Sequence, residues 1–373
     1  MIRVLIIDNS LDITGASLAI IKSAQEIRDA DAEFVFIYPK NSKCVDITRN
    51  AGFTTYEMKF VEISRRLSDL LFYFPMLLKN AFSISRLIKK EKIDLIHVND
   101  IYNMLGLCVK IFIRTKVITH VRRMPESFPK AIYKTWSWLH IKFADRIVAV
   151  SEANKRGLPI NNKTEVIYDS LPEIQKYNAY EIKDKLDGTI KILYLANYTD
   201  GKGHKHALYV LKRAIDEFPD REFYLNFYGG NFGLTKNNFY KNDLIALAKK
   251  LGISAFVCFN DKSSDVEKEM KAHDVIWNFS DSESFSRVTL EALFYSIPVI
   301  ATDVGGTNEM LVNNKGGILV KAKSVEEMYA GFKRLISDDT WRVSMSKYGY
   351  DFVRTHFSIG NTSMKIKKIY QDV

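Results

Sequence analysis

Glu283 and Glu291 are separated by seven residues and stand at the head of an apolar stretch that ends at Pro298. Between them lies Ser284-Phe285-Ser286-Arg287. After the proline come Val299-Ile300-Ala301, the pair Gly305-Gly306, and Glu309. Carboxylate oxygens accept hydrogen bonds from sugar and ribose hydroxyls. The free N–H groups of a helix start or a glycine turn attract phosphate. A site that combines them would hold a nucleotide sugar. The spacing predicts a helix that opens at Ser284-Phe285-Ser286 and runs to about Tyr295. Glu283 would then precede the helix and reach a sugar hydroxyl. Glu291, about two turns further on, would accept both hydroxyls of a ribose. Taken as bare glutamates, the two read as an acidic cap and a solvent-facing helix residue. The proline and the paired glycines give the segment its weight.

These residues need a scaffold, and 373 residues exceed one ordinary core, which predicts two domains. Hydrophobic residues at 47% and charged residues at 26% describe a globular chain. Short β-rich runs alternate with amphipathic stretches, the pattern of a parallel sheet covered by helices on both faces. Strands are predicted at 4–7, 34–37, 95–98, 116–119, 147–150 and 165–167, with helices at 17–28 and 127–143. A polar segment over 173–188 reads as a linker. The rhythm then restarts, with strands at 192–195, 222–228, 256–259, 275–278, 298–301 and 317–320. Helices are expected at 205–217, 243–250, 266–272 and 324–337. The stretch from 340 to 373 reads as helix broken near 357–360. The fold class is therefore α/β, two tandem Rossmann-like doubly wound domains over 1–172 and 189–350, with a C-terminal helix over 351–373 packing back on the first. Ligands of such sheets sit beyond the carboxyl ends of the strands, so a cleft between the domains is the expected site.

Lys and Arg number 54 against 44 Asp and Glu, a net charge of +10. The surplus suits nucleotide phosphates, an anionic membrane or nucleic acid, and does not choose among them. Cys44, Cys108 and Cys258 show neither metal spacing nor a disulfide framework, which fits a reducing compartment. The N-terminus reaches Asp8 too soon for a signal peptide, and the longest apolar run, 70–78, is too short to span a bilayer. A cytoplasmic, non-integral protein is expected. Within 63–92, however, Arg65, Arg66, Lys79, Arg86, Lys89 and Lys90 mix with Phe72, Phe74 and Leu77. Basic residues beside exposed aromatics mark an interfacial helix, each basic side chain being worth about 1 kcal/mol near an anionic leaflet. The segment 128–138, with Lys130, Lys134, Trp136 and Trp138, has the same character. Helices packed on a core, with basic outer faces, would look similar.

The 283–309 segment resembles the family 4 glycosyltransferases, also called glycosyl transferases group 1. Their pattern is a glutamate, seven residues, a second glutamate with Ala, Pro-Val, and a Gly-Gly turn before Glu. Glu283, Glu291, Ala292, Pro298, Val299, Gly305, Gly306 and Glu309 match it in order and spacing. The resemblance implies the GT-B fold, a metal-independent retaining hexosyltransferase, and a nucleotide-sugar donor held by the C-terminal domain. It assigns the acceptor to the N-terminal domain. In the family, an Arg and a Lys after the first strand of the donor domain grip the diphosphate. Lys202-Gly203 fits that loop, whereas Ala196 and Asn197 stand where Gly and Arg are usual. A lysine supplies a point charge without the arginine fork. Arg287, Lys205 and His204 are candidates to supplement it. A glycine-bearing loop near the donor phosphate makes Gly15 and Ala16 candidates, a plain strand-to-helix turn being the alternative. His120 falls where the family often places a histidine facing the transferred sugar, and otherwise reads as a satisfied core histidine. Arg122 and Arg123 follow it and would meet an anionic acceptor. His97 is a weaker candidate on that side. Ser151-Glu152 matches the family's turn before a helix, where Ser151 equally reads as an N-cap.

The implied site thus comprises Glu283, Lys202 and His120 at the reacting centre, with Glu291, Ser284, Phe285, Ser286, Gly15, Ala16, Asn197 and Arg287 around the donor. Arg65, Arg66, Lys89, Lys90, Arg122 and Arg123 face membrane or acceptor. A UDP- or GDP-sugar is the expected donor, with no cofactor and no metal. The acceptor is expected to be a glycan or lipid-linked precursor of surface polysaccharide or lipopolysaccharide, met at the inner face of the cell membrane. A GT-B sugar-nucleotide epimerase and a non-catalytic nucleotide-sugar-binding protein remain alternatives. A nucleic-acid partner is not expected, because no reader motif is present.

Overall fold

The computed structural model describes residues 1–28, 32–60, 67–171, 182–186, 188–231 and 233–373. The chain divides into two compact units, Met1–Glu173 with Phe357–Val373, and Ile174–His356. Most of the expected linker, 173–188, lies outside the described residues, as do Arg65 and Arg66.

The first unit runs β1 (Ile2–Ile7), α1 (Gly15–Ile27), β2 (Ala32–Pro39), α2 (Cys44–Asn50), β3 (Thr54–Met58), α3 (Leu67–Glu91), β4 (Leu95–Val98), α4 (Leu105–Val109), β5 (Lys116–Val121), α5 (Lys130–Phe143), β6 (Arg146–Ala149), α6 (Glu152–Arg156) and β7 (Thr164–Val166). Its strands form a parallel sheet ordered β3-β2-β1-β4-β5-β6-β7. Helices cover both faces, so the central strands are apolar throughout; Val4, Leu5, Ile6 and Ile7 are fully buried. The chain leaves β1 toward β2 and later returns to the other side at β4. That reversal opens a crevice at the carboxyl ends of β1 and β4.

The second unit repeats the scheme with β8 (Ile190–Leu195), α7 (His204–Glu217), β9 (Phe223–Tyr228), α8 (Thr235–Lys250), β10 (Val257–Asn260), α9 (Val266–Lys271), β11 (Val275–Asn278), α10 (Arg287–Phe294), β12 (Val299–Thr302), α11 (Thr307–Leu311), β13 (Ile318–Val320), α12 (Val325–Ser337) and α13 (Asp339–His356). The order β10-β9-β8-β11-β12-β13 places its reversal between β8 and β11. The final helix, α14 (Ile359–Gln371), belongs to the first unit, where Ile366, Ile369 and Tyr370 are buried in a core with Val4, Ile6 and Phe34. Ser358 caps it by accepting from Asn361 N at 3.3 Å. The architecture is two Rossmann-like parallel-sheet domains.

The helix expected at 127–143 starts instead at Lys130. Pro129 disfavours helical backbone at Phe128, and 125–127 close as a separate 3-10 turn. The helix expected from 243 begins earlier, at Thr235, without a side-chain cap to announce it. β3 and α2 had no expectation. Thr54-Thr-Tyr-Glu-Met58 is an edge strand whose residues are partly or fully exposed, so its apolar signal is weak. Among the described residues no helix is long and apolar enough to cross a membrane.

Candidate functional site

In the second unit the reversal brings together the loop after β8 and the loop after β11. Buried Tyr194 ties them, its hydroxyl donating to Lys202 O (2.6 Å) and accepting from Phe279 N (3.0 Å). Asp281 N donates to Gly201 O at 2.8 Å. Gly203 has φ +73°, and a Cβ there would lie 2.0 Å from Phe279 O, so only glycine permits this approach. The result places Lys202 Nζ 2.6 Å from Glu283 Oε1. A second cation–carboxylate pair joins Arg287 Nη2 to Glu291 Oε1 at 2.9 Å, one helical turn apart. Arg287 Nη1 is buried with no hydrogen-bond partner.

The helix between these pairs begins at Arg287, not at Ser284. Ser286 is its N-cap, accepting from Thr289 N at 3.2 Å. Ser284 and Phe285 therefore precede the helix, and Phe285 is buried. The correction follows from a network that sequence reasoning missed. Asn278, at the end of β11, donates to Ser286 Oγ (2.7 Å) and Thr289 Oγ1 (3.2 Å) and accepts from Ser280 Oγ (3.0 Å). Thr302 Oγ1 donates to Ser280 O at 2.5 Å. These buried hydroxyls pin the turn and choose its first helical residue. The amides of Arg287 and Val288 open the helix, where intrahelical partners are lacking.

The Gly305-Gly306 turn also has a different task from the expected one. Gly306 N donates to Glu283 O at 3.2 Å, so it is not available to phosphate. Gly305 has φ +52°, and a Cβ there would fall 1.6 Å from Glu283 O. The paired glycines thus seat the Glu283 backbone. Asn197 is corrected as well: its Oδ1 accepts from Gly230 N at 3.0 Å and fastens the loop after β9. His204 is buried among Tyr194, Tyr198 and Phe227, and burial holds its pKa down to about 4. Lys205 rests over the Tyr240 ring at 5.5 Å. Of the three supplements considered for Lys202, Arg287 alone has an unmet buried donor.

In the first unit a polar cluster fills the carboxyl ends of β1, β4 and β5. Asp8 accepts from Asn99 Nδ2 (2.7 Å) and Ser10 N (2.8 Å). Asn99 Oδ1 accepts from Arg122 Nε. Arg122, expected to meet an acceptor, is instead buried and bidentate on Asp169 at 2.7 and 2.9 Å. Its burial needs that partner, since an isolated buried charge is costly. Asp100, at φ +151°, accepts from Ile101 N (2.8 Å) and Arg122 N (3.1 Å). Burial raises the pKa of both Asp8 and Asp100. His120 lies near the end of β5, buried, with Nδ1 3.3 Å from His97 Nε2 and Nε2 unpartnered. Burial, then Arg122, then His97 hold it neutral. Gly15 and Ala16 form the first turn of α1, capped by Thr14 and Ser17. Ser151 caps α6 through Asn154 N at 3.1 Å. Arg123 stays half exposed, over Tyr102 at 4.9 Å and 3.6 Å from Asp100. Asp8, Asn99 and Asp100 had a signal, polar residues directly after apolar strands. Tyr370, which donates into this cluster from the far end of the chain, had none.

Lys89 and Lys90 are exposed on α3, with Lys79 and Arg86. The same helix exposes Phe72, Phe74, Leu78 and Phe82, and Phe82 meets Phe112 edge-on at 5.6 Å. Among the described residues no group of histidines, cysteines and carboxylates could hold a metal ion.

Residues 178–352 match the family Glycosyl transferases group 1, and residues 13–168 match Glycosyltransferase Family 4. An uncharacterized glycosyltransferase of Methanocaldococcus jannaschii is 25% identical over 305 residues, 79% of this chain and 80% of that protein. A D-inositol 3-phosphate glycosyltransferase of Corynebacterium urealyticum is 29% identical over 174 residues, 46% of this chain but only 40% of that protein. The fold of Anabaena HepE, solved with UDP and glucose, superposes with a TM-score of 0.85 at 18% identity, both chains being covered in full. Matched by glycosyltransferase families across both units and built as two Rossmann-like sheets, the chain belongs to the glycosyltransferases of the GT-B fold.

Proposed function

We propose that the protein is a retaining glycosyltransferase that moves a sugar from a nucleoside-diphosphate donor to an acceptor hydroxyl. The observation that carries this reading is the arrangement in the second unit: Lys202 beside Glu283 and Arg287 beside Glu291, on either side of the start of α10. The barrier to transfer is departure of the diphosphate with positive charge growing at the anomeric carbon. Lys202 and the first amides of α10 stabilise the leaving diphosphate, and fixed donors of this kind need no reorganisation during reaction. The unmet Nη1 of Arg287 adds a donor where Asn197 supplies none. Glu283, freed from Lys202 by the incoming phosphate, orients the sugar and faces the growing positive charge. Glu291 binds the ribose. His120 contacts the transferred sugar. The C–O bond to phosphate breaks with its electron pair going to the diphosphate. The acceptor oxygen bonds on the same face, and its proton passes to a donor phosphate oxygen. Cationic side chains and amides carry the leaving-group charge, so this chemistry calls for no metal.

HepE in complex with UDP-glucose supports a UDP-sugar as the first donor to test. Thermal-shift measurement against UDP- and GDP-sugars is the direct experiment. A donor at about 100 times its Kd adds about 2.7 kcal/mol of stability. Stabilisation by one donor supports the reading, and indifference to all of them would overturn it. Product analysis with donor alone separates transfer from epimerisation, and transfer to any acceptor removes the non-catalytic alternative.

A specific observation also favours a membrane-linked acceptor. Phe72 and Phe74 are each 68% exposed at one end of α3, while Arg86, Lys89 and Lys90 line its other end. Such a helix lies in the interface of an anionic bilayer. In this proposal the protein works at the cytoplasmic face of the membrane, on a lipid-linked precursor of a surface glycan.

A further inference from the structure

The histidine pair of the first unit has a direction that its neighbours dictate. His97 Nδ1 lies 2.7 Å from Tyr370 Oη, and His97 Nε2 lies 3.3 Å from His120 Nδ1. The two rings lie within 19° of parallel, centroids 5.3 Å apart. Burial, then Arg122, depresses the His97 pKa to about 3, and the same influences keep His120 neutral. Burial raises Tyr370, which keeps its phenolic proton. A neutral imidazole carries one N–H and one lone pair, so the chain of hydrogen bonds runs one way or the other.

Suppose His120 donated from Nδ1 to His97, and His97 from Nδ1 to Tyr370. The phenolic proton would then have no acceptor among the described residues. His120 Nδ1–H would also face Arg122 Nη2, 3.4 Å away, a group that only donates. Arg122 cannot turn aside, because Asp169 and Asn99 hold its guanidinium. In the opposite direction Tyr370 donates to His97 Nδ1, His97 Nε2–H donates to His120 Nδ1, and Arg122 donates to the same lone pair. Every member is satisfied, and the remaining proton sits on His120 Nε2, the buried atom with no partner.

We propose that Tyr370, on the C-terminal helix, and His97 are positioning residues that fix His120 as its Nε2–H tautomer. His120 then offers a ligand oxygen a hydrogen-bond donor and cannot serve there as a base. The oxygen is that of a sugar hydroxyl, a step that rests on the donor reading above. The C-terminal helix thereby sets the chemistry of a residue in the middle of the sheet.

Histidine-labelled ¹⁵N protein, observed through long-range ¹H–¹⁵N correlations, reads the tautomer directly, with His120 assigned by His120→Gln. The expected wild-type pattern is Nε2–H. Tyr370→Phe removes only the hydroxyl and keeps the ring, which sits 6.1 Å from Phe34. The His120 signals should move toward a tautomer mixture, and kcat for sugar transfer should fall about fivefold with donor KM changing less than about twofold. An Nδ1–H pattern in the wild type, or an unmoved pattern in Tyr370→Phe, overturns the relay. Wild-type transfer by His120→Gln would overturn the sugar contact and leave the tautomer assignment standing.

Discussion

Lys202 and Glu283 form a half-exposed ion pair, 33% and 17% accessible, worth at most about 1 kcal/mol to stability after solvent screening. Lys202→Ala should therefore fold, yet lose about 100-fold or more in kcat/KM, the scale for removing a fixed donor to a developing anion. Steady-state kinetics beside a melting curve checks both halves; near-native transfer would remove Lys202 from the diphosphate. Glu291 acts on the ground state in this scheme. Glu291→Ala should raise donor KM by about tenfold and change kcat much less, whereas a pure kcat loss would count against ribose binding. Asn197→Arg tests the most evident departure from the family's loop. Because Asn197 Oδ1 holds Gly230 N, the replacement loses that bond, at a cost of about 1 kcal/mol, and is not expected to speed transfer. Faster transfer at unchanged stability would show that a fork at 197 can still reach the phosphate.

At the scale of elements, glycines and buried hydroxyls aim the carboxylates. Gly305→Ala would place a methyl 1.6 Å from Glu283 O at a backbone angle that side chains avoid. The Glu283 turn must move, so activity should collapse with a stability loss of about 1 to 3 kcal/mol. A fully active, wild-type-stable Gly305→Ala would show that the turn does not seat Glu283. Helix α3 carries its own prediction. Replacing Phe72 and Phe74 with Ser, together with Lys89 and Lys90 with Gln, should abolish sedimentation with anionic vesicles and spare binding of the free donor. About 1 kcal/mol is at stake for each cation near the leaflet. Unchanged sedimentation would sink membrane docking without touching the donor site.

For the whole molecule, buried neutral histidines link stability to pH. Burial holds His97 at about 3 and His140 and His204 at about 4, against 6.5 in the unfolded chain. Their folded pKa values are depressed, so the unfolded state binds more protons between about pH 4 and 6.5. Their contribution is present above 6.5 and is lost as pH falls. From pH 7 to 5 each withholds about 2 kcal/mol. Asp8 and Asp100 act oppositely, their raised pKa values favouring the folded state as pH falls, by at most about 2.7 kcal/mol each over two pH units. With His120 also depressed, the histidines prevail. The melting temperature should be lower at pH 5 than at pH 7, and an equal or higher value would show that these histidines protonate inside the fold.

The sequence by itself determined what local pattern can carry. Leu95–Val98 and Val275–Asn278 fall where expected, because buried parallel strands are continuous apolar runs bounded by polar turns. Glu283, Glu291 and Lys202 stood out through order and spacing. The tertiary structure alone decided their partners. Nothing local says that Asn278 reaches Ser286 and moves the start of α10 to Arg287. Spacing cannot show that Gly306 is occupied by Glu283, or that Arg122 is consumed by Asp169. Those outcomes depend on which buried donors meet which acceptors across strands, a matter of register and close packing rather than of neighbouring residues. Tyr370 is the extreme instance. It stands 273 positions from His97, yet it is the hydroxyl that sets the direction of the histidine pair.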